Sequence, residues 1–392
     1  MKIEIKNLKK VANRIKKAIK SKEKIIVYGD ADLDGVSSVI ILKESIKNLG
    51  GESSVVYFPE REKEGYGITE KALNYLKKYA PALLISLDCG ICNFREVKIA
   101  KKMGFEVIII DHHEVLDKLP EASIIVDPKQ KGDKYPFKQF ANAGLAFKLS
   151  ELLFEKKIPE SLRKSFLELA GLATIADMMP RVGENEIIIA DGLNFLESSW
   201  RPGIQALLEL EHFKSFGLIQ KVYKINSLLN IQDVKNKVPA AFRLLTSSSK
   251  NEAQKLAEEL FKKGIQRKER IKEIIEEIEM KISGKETDPI VFEGSVGWGL
   301  ALLGVAASIL CRKYRKPVFL YKKGGIESQG GIRAPSEFNL VEAMKGFSKK
   351  LITYGGHPQA AGFKIKNENL EEFKEHLFEY FINAENRSGS NF

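Results

Sequence analysis

The stretch IIVYGDADLDGVSS places Asp30, Asp32 and Asp34 at alternate positions directly after a short apolar run. Three like charges this close repel one another, and the stretch itself offers no basic neighbour to offset them. Three more polar clusters end apolar runs downstream. ALLISLDCG ends in Asp88, FEVIIIDHHEV in Asp111, His112 and His113, and SIIVDPK in Asp127, fixed by Pro128. A lone Asp after a strand is commonly a helix N-cap or a turn former. Two adjacent histidines carry more weight, because the chain has only 5. Imidazole is the commonest side-chain metal ligand near neutral pH. Carboxylates with one or two histidines make a mixed oxygen and nitrogen donor set, suited to Mn2+ or Mg2+ rather than to a thiolate-bound metal. The positive partner that the three aspartates call for is therefore one or two divalent cations. Cys89 and Cys92 form a CxxC, but Cys311 is the one other cysteine, so a four-cysteine zinc site is impossible. The pair is read as two small residues at a strand end.

For these groups to meet, the runs that carry them must lie side by side. Strands are predicted at 24–28, 54–58, 82–87, 106–110 and 123–126, with helical patterns near 37–48, 69–78 and 94–103 between most of them. Ile- and Val-rich strands separated by helices of about ten residues predict βαβ units and a parallel sheet covered on both faces. Right-handed crossovers then put every strand's carboxyl end on one edge, where ligands of such sheets bind. From 142 to about 247 the pattern is mostly helical. From 251 to 283, Leu256, Leu260, Ile271, Ile275, Ile278 and Ile282 fall on one face of a long amphipathic helix. Its other face is dense in Lys, Arg and Glu. There Arg267, Lys268 and Arg270 are candidate phosphate contacts, although a solvated helix face is the simpler reading of each. After Gly284 the alternation restarts, with strands at 288–292 and 317–321, a helix at 300–314, the Gly-rich stretch GGIESQGGIRAPS and a helix from Asn339. The expected fold is α/β throughout. A domain over 1–250 has its sheet core at about 24–130 and a helical part at about 142–250. A connector helix over 251–284 leads to a smaller α/β domain over 285–385, with a cleft between the lobes and a frayed tail at 386–392.

Length and charge agree with that plan. A chain of 392 residues is long for one core and suggests two domains. No apolar run approaches the roughly 18 residues that span a bilayer, and MKIEIKNLKK lacks a signal-peptide core, so a cytoplasmic protein without membrane attachment is expected. The net charge of +11 favours a polyanionic partner such as nucleic acid. Abundant Lys and Glu with little Gln is also how thermophile surfaces look.

The order Asp-x-Asp-x-Asp-Gly over 30–35, then Asp88, then Asp111-His112-His113, resembles the DHH phosphoesterase superfamily. ANAGLAFKL at 141–149 and ATIADMMPRVGENEIII at 173–189 are similar to segments of its RecJ branch, the second adding Asp177. RPGIQALLE at 201–209 fits too, and YGGHPQAAGF at 354–363 resembles the glycine-rich signature of the associated DHHA1 domain. The resemblance implies that Asp32, Asp34, Asp88, His112 and Asp177 hold a pair of Mn2+ ions (or Mg2+), with Asp30 at the margin. Asp111 would orient the histidines, and His113 would touch the scissile phosphate or the departing oxygen, completing a catalytic set with Asp32. Arg333 and His357 would grip substrate phosphates across the cleft. Gly355 and Gly356 would form a turn with His357 that lets backbone approach phosphate.

The implied activity is metal-dependent, exonucleolytic hydrolysis of single-stranded nucleic acid, DNA or RNA, with 5′→3′ polarity. Its setting would be DNA repair, recombination or replication, with proteins of those processes as partners. Alternatives inside the superfamily are a nanoRNase or cyclic-dinucleotide-type phosphodiesterase, an inorganic pyrophosphatase, and a catalytically quiet replisome scaffold subunit. The retained core ligands and the region around TIADMMPRVGEN favour the exonuclease. Departures from the pattern matter as well. Tyr28 stands where many relatives carry a histidine, which implies a more loosely held second metal. Asp127-Pro128 replaces Asn-Pro, and Trp298-Gly299 replaces Trp-His, removing one polar contact. The chain ends soon after the DHHA1 signature, where bacterial RecJ continues into an OB-type domain, so a weaker grip on long strands is expected.

Overall fold

The computed structural model describes residues 4–388 except 117, 156, 232, 285 and 286. The chain divides into two compact units, Met1–Gly264 and Ile265–Phe392.

In the first unit α1 (Leu8–Lys20) leads into β1 (Ile25–Gly29), followed by α2 (Leu33–Asn48), β2 (Val55–Tyr57), α3 (Arg61–Glu64) and α4 (Glu70–Leu76). Then come β3 (Ala82–Leu87), α5 (Phe94–Lys102), β4 (Phe105–Ile110) and β5 (Ile124–Val126). The strands pair in parallel in the order β2-β1-β3-β4-β5. Side chains alternate across this sheet as a pleat requires. Ile25, Val27, Leu83, Ile85, Ile108 and Ile110 enter one core, built with α1 and α2, while Ile26, Tyr28, Leu84, Val107 and Ile109 enter another against α4 and α5. Because both faces are covered, the strands are mostly apolar, with Ser86 and Glu106 the polar exceptions, which is what made them legible. The order reverses at β1, whose neighbours β2 and β3 lie on opposite sides. A crevice forms at such a switch point, at the carboxyl ends of the strands.

The helical part of this unit comprises α6 (Asn142–Leu153), α7 (Glu160–Ala176), α8 (Glu184–Leu196), α9 (Pro202–Leu208) and α10 (Leu218–Leu229). A short hairpin of β6 (Val234–Lys235) and β7 (Val238–Pro239) precedes α11 (Ala240–Thr246). Arg201 ties these helices together from inside. Its guanidinium donates to both carboxylate oxygens of Glu44 at 2.9 and 2.6 Å, to Ser165 Oγ at 2.6 Å and to the Leu245 carbonyl at 3.0 Å.

Next, α12 (Lys250–Ile282) runs from the first unit into the second. Its Ala253, Leu256, Ala257 and Leu260 belong to the first unit's core, whereas Ile271, Ile274 and Ile278 pack with Trp298, Leu303 and Leu310 of the second. One apolar stripe thus serves two cores. The candidate phosphate contact Arg270 is engaged with Glu273 and donates to the Gly297 carbonyl at 3.1 Å.

The second unit contains β8 (Val291–Ser295), α13 (Leu300–Tyr314), β9 (Val318–Lys323), β10 (Glu327–Arg333), α14 (Leu340–Lys345), β11 (Leu351–His357), β12 (Ala360–Lys366) and α15 (Leu370–Ser388). The sheet order is β11-β12-β10-β9-β8, antiparallel except for the parallel β8–β9 pair. Within the Gly-rich stretch, for which no element was predicted, residues 327–333 form β10 in the middle of the sheet. One expectation needs correction: Gly355, Gly356 and His357 are not a turn, since they end strand β11 and the chain reverses after them at Pro358 and Gln359. The expected frayed tail begins as helix, with 386–388 inside α15, and 389–392 lie outside the described residues. Among the described residues no helix is long and apolar enough to cross a membrane.

Candidate metal centre

Four strands each deliver an aspartate to the same edge of the first sheet. Asp30 follows β1, Asp88 follows β3, Asp111 follows β4 and Asp127 follows β5, and all four are buried. Asp32 caps α2, accepting from the Gly35 amide at 3.1 Å. The cap starts the helix at Leu33, four residues earlier than the apolar pattern suggests, and so puts Asp34 in its first turn. A side chain at Gly35 would place its Cβ 2.3 Å from the Asp30 carbonyl oxygen, so only glycine lets the loop fold this tightly. Asp34 accepts from the amides of Asn142 at 2.6 Å and Ala143 at 2.7 Å, the first residues of α6. Unsatisfied amides at a helix start favour a carboxylate there. Asp88 turns the chain out of β3 with φ at 62°, a left-handed conformation that Asp tolerates better than most residues.

The two histidines have opposite states for separate reasons. His112 Nδ1 lies 2.8 Å from the Phe140 carbonyl, which can only accept, so Nδ1 carries the proton. Nε2 then faces Asp88 Oδ1 at 3.1 Å and oxygens of Asp34 and Asp177, each at 3.6 Å. Burial drives the His112 pKa well below its usual value, leaving a neutral ring. His113 is only partly buried, and the Asp111 carboxylate 2.7 Å from Nδ1 outweighs the desolvation it does suffer and raises its pKa to about 9. In turn Asp111 is held below the usual carboxylate range, burial opposing and His113 prevailing. Asp111 orients one ring only. It accepts the His112 backbone N–H at 2.8 Å, while the His112 ring is set by Phe140, which corrects the expectation that Asp111 orients both.

Asp177 caps the C-terminal end of α7 with its side chain 25% exposed. Ligand atoms of Asp34, His112 and Asp177 lie within 4.8 Å of one another, as do those of Asp30, Asp32 and Asp88, and those of Asp88, Asp111 and His113. Burial, with repulsion from neighbouring carboxylates, pushes Asp34 and Asp88 well above the usual range. Crowded carboxylates that resist ionisation, beside a neutral imidazole lone pair, fit a hard divalent cation that takes oxygen and nitrogen donors.

Sequence reasoning missed Arg61. It lies on α3, and its Nη2 pairs with Asp30 and stands 3.2 Å from Asp32 Oδ2. The aspartates therefore have a basic neighbour after all, one that only the fold brings close. Burial still raises Asp30 to about 6 against the pull of Arg61, whereas Arg61 and the Gly35 amide hold Asp32 low against its burial. The Tyr66 hydroxyl is a further unforeseen contact, 3.3 Å from His113 Nε2. Tyr28 stays out of the cluster, donating to the Gly67 carbonyl at 2.8 Å and stacking on Tyr57. Cys89 and Cys92 are free thiols whose pKa values burial raises, that of Cys92 to about 12, so neither is a ready thiolate.

In the second unit, Arg333 on β10 and His357 on β11 are both in register with Ala360 of the intervening β12. Residues directly opposite share a face of the sheet, so the two side chains lie on one face at one end. The Arg333 guanidinium donates to the Ile332 carbonyl at 2.8 Å and lies against Gly304 of α13, 3.2 Å from where a Cβ would stand. Gly355 pairs with Gly362, and Gly356 has φ at 134°, with the Ala360 carbonyl 2.5 Å from a would-be Cβ. The backbone beside His357 is therefore bare of side chains.

A parallel sheet with this aspartate and histidine edge, joined to a glycine-rich mixed sheet, defines a class. The chain belongs to the DHH family, matching the DHH family N-terminal domain over residues 24–174 and the DHHA1 domain over residues 288–383. It is 35% identical, over 97% of its length, to the single-stranded-DNA-specific exonuclease RecJ of Bacillus subtilis, of which it covers 48%. A crystal structure of exonuclease RecJ bound to manganese superposes with a TM-score of 0.75 at 26% identity, covering 97% of this chain and 95% of that one. RecJ of Thermus thermophilus in complex with Mn2+ superposes with a TM-score of 0.78 at 25% identity, covering 97% of this chain and 55% of that one. The chain spans about half the length of the first curated relatives it matches.

Proposed function

We propose that the chain is a metal-dependent exonuclease that hydrolyses phosphodiester bonds of single-stranded nucleic acid. DNA is the preferred substrate, the direction is 5′→3′, and the setting is cytoplasmic DNA repair, recombination or replication, with proteins of those processes as partners. The observation that carries the reading is the His112 ring, neutral and fixed by Phe140, with Nε2 turned to the carboxylates of Asp34, Asp88 and Asp177. Likeness to RecJ over almost the whole chain supplies the substrate class.

Asp32, Asp34, Asp88, His112 and Asp177 would hold two Mn2+ or Mg2+ ions, with Asp30 at the margin. Bound there, such ions supply Lewis acidity toward the phosphoryl oxygens and lower the pKa of water. The rest of the chemistry belongs to the chain's own side chains. Protonated His113, kept so by Asp111, donates to a phosphoryl oxygen or to the departing oxygen. Arg333 and His357 bind substrate phosphate with charged or polar hydrogen bonds. Gly355 and Gly356 leave room for phosphate to approach the backbone.

The test is to incubate the chain with Mn2+ and end-labelled DNA and RNA of several lengths, then resolve the products. Stepwise release of nucleotides from the 5′ end of single-stranded DNA is expected. Cleavage confined to oligonucleotides of a few residues would contradict the exonuclease reading and favour a short-oligonucleotide phosphodiesterase.

A further inference from the structure

The carboxylate clusters at the sheet edge differ in what already faces them. Asp34, His112 and Asp177 combine two carboxylates with a neutral imidazole. Asp30, Asp32 and Asp88 combine three carboxylates, and Arg61 stands on two of these. Both oxygens of Asp30 accept from Arg61, Oδ1 from Nε at 3.2 Å and Oδ2 from Nη2, while Asp32 Oδ2 lies 3.2 Å from the same Nη2. A carboxyl group buried as fully as Asp30 keeps its charge only with a counter-charge beside it, because water is not there to replace one. A divalent ion held by the same oxygens would stand beside the guanidinium, and two positive charges so close repel each other strongly in a site with little water.

We infer that Arg61 is a resident cation of the Asp30–Asp32–Asp88 cluster, competing with a divalent ion for its oxygens and so setting the order in which the edge takes up metal. This rests on the metal-centre reading above. The cluster holding His112 loads first, and the cluster holding Arg61 loads only when the guanidinium moves. The Tyr66 ring gives it somewhere to go, since the guanidinium carbon already lies 5.1 Å from the ring centroid, within cation–π range. Tyr28 adds no donor in compensation, because its hydroxyl is committed to Gly67.

The experiment is calorimetric titration of the chelator-stripped full chain with Mn2+ for the wild type, Arg61→Gln and Arg61→Lys, with thermal melts of each, metal-free and loaded. The wild type should bind in a tight and a weak step. Arg61→Gln should leave the tight step unchanged and tighten the weak one on the order of tenfold or more, the usual range of coupling between two sites. Arg61→Lys, a point charge without the planar fork, should fall between them. Metal-free Arg61→Gln should melt below the wild type and gain more from Mn2+, since a ligand stabilises in proportion to its affinity for the folded state. If Arg61→Gln does not fold, Arg61→Lys carries the test through its smaller tightening. A weak step that is unchanged or weaker in the variants, or a single step in every protein, overturns the inference while leaving the metal centre standing. No uptake of Mn2+ by the wild type overturns both.

Discussion

His112 Nε2 lies 3.1 Å from Asp88 Oδ1, and the two residues come from the ends of adjacent parallel strands, β4 and β3. The contact joins a neutral ring to a carboxyl that burial and its neighbours discourage from ionising. On the proposed reading both residues serve a bound cation more than the fold. His112→Ala and Asp88→Asn should each abolish Mn2+-dependent turnover and weaken Mn2+ uptake. Asn tolerates the left-handed backbone at 88, and losing a charge from a crowded anionic edge relieves repulsion. Metal-free Asp88→Asn should therefore melt no lower than the wild type. Circular dichroism melts and calorimetry on the same samples check both halves.

His113 and Asp111 make a pH-dependent pair. The folded pKa of His113, about 9, lies above the unfolded value of about 6.5. Its stabilisation is thus complete below about pH 6.5 and is lost as pH rises through about 9. Asp111 shifts the other way, so its share is present above about pH 4, the usual carboxylate value, and is lost on acidification. Metal-free protein should lose stability between pH 7 and 9.5, and His113→Gln should flatten that slope. Urea midpoints at the two pH values, with chelator present, measure it.

Much of this site was visible in the amino-acid sequence because a parallel sheet obeys simple rules. Mostly apolar runs mark the strands, and the crossover rule sends Asp30, Asp88, Asp111 and Asp127 to one edge. Arg61 was not visible, since it lies 31 residues from Asp30 on a helix of four residues, with nothing periodic to mark it. Nor was the part played by Phe140, because a backbone carbonyl leaves no trace in residue type. Strands β10 and β11 were missed for a physical reason. Glycines at 330, 331, 355 and 356 suggest loops, yet they stand where strands must pass close to neighbouring backbone and rings, and Gly330 would place a Cβ 2.5 Å from the Leu320 carbonyl.

In the second unit, His357→Ala and Arg333→Met should leave Mn2+ affinity unchanged and lower turnover by a factor of about ten to a thousand, the range for loss of one transition-state donor. Paired calorimetry and product release distinguish this from a ligand role, in which metal affinity would fall as it does for His112→Ala.

Stability also depends on the Glu44–Arg201 ion pair. Glu44→Ala would strip Arg201, whose side chain is 2% exposed, of its charge partner. Breaking a buried pair from one side costs about 3–5 kcal/mol. Urea unfolding should show a loss of that order, while Mn2+ affinity of the folded protein stays the same.

The most direct measurement of the central claim is anomalous scattering at the manganese edge from crystals soaked in Mn2+. The strongest peak should fall among Asp34, Asp88, His112 and Asp177, at the carboxyl edge of the parallel sheet, and should vanish in His112→Ala crystals. Peaks confined to other parts of the surface, with single-stranded DNA still degraded in excess chelator, would contradict the account.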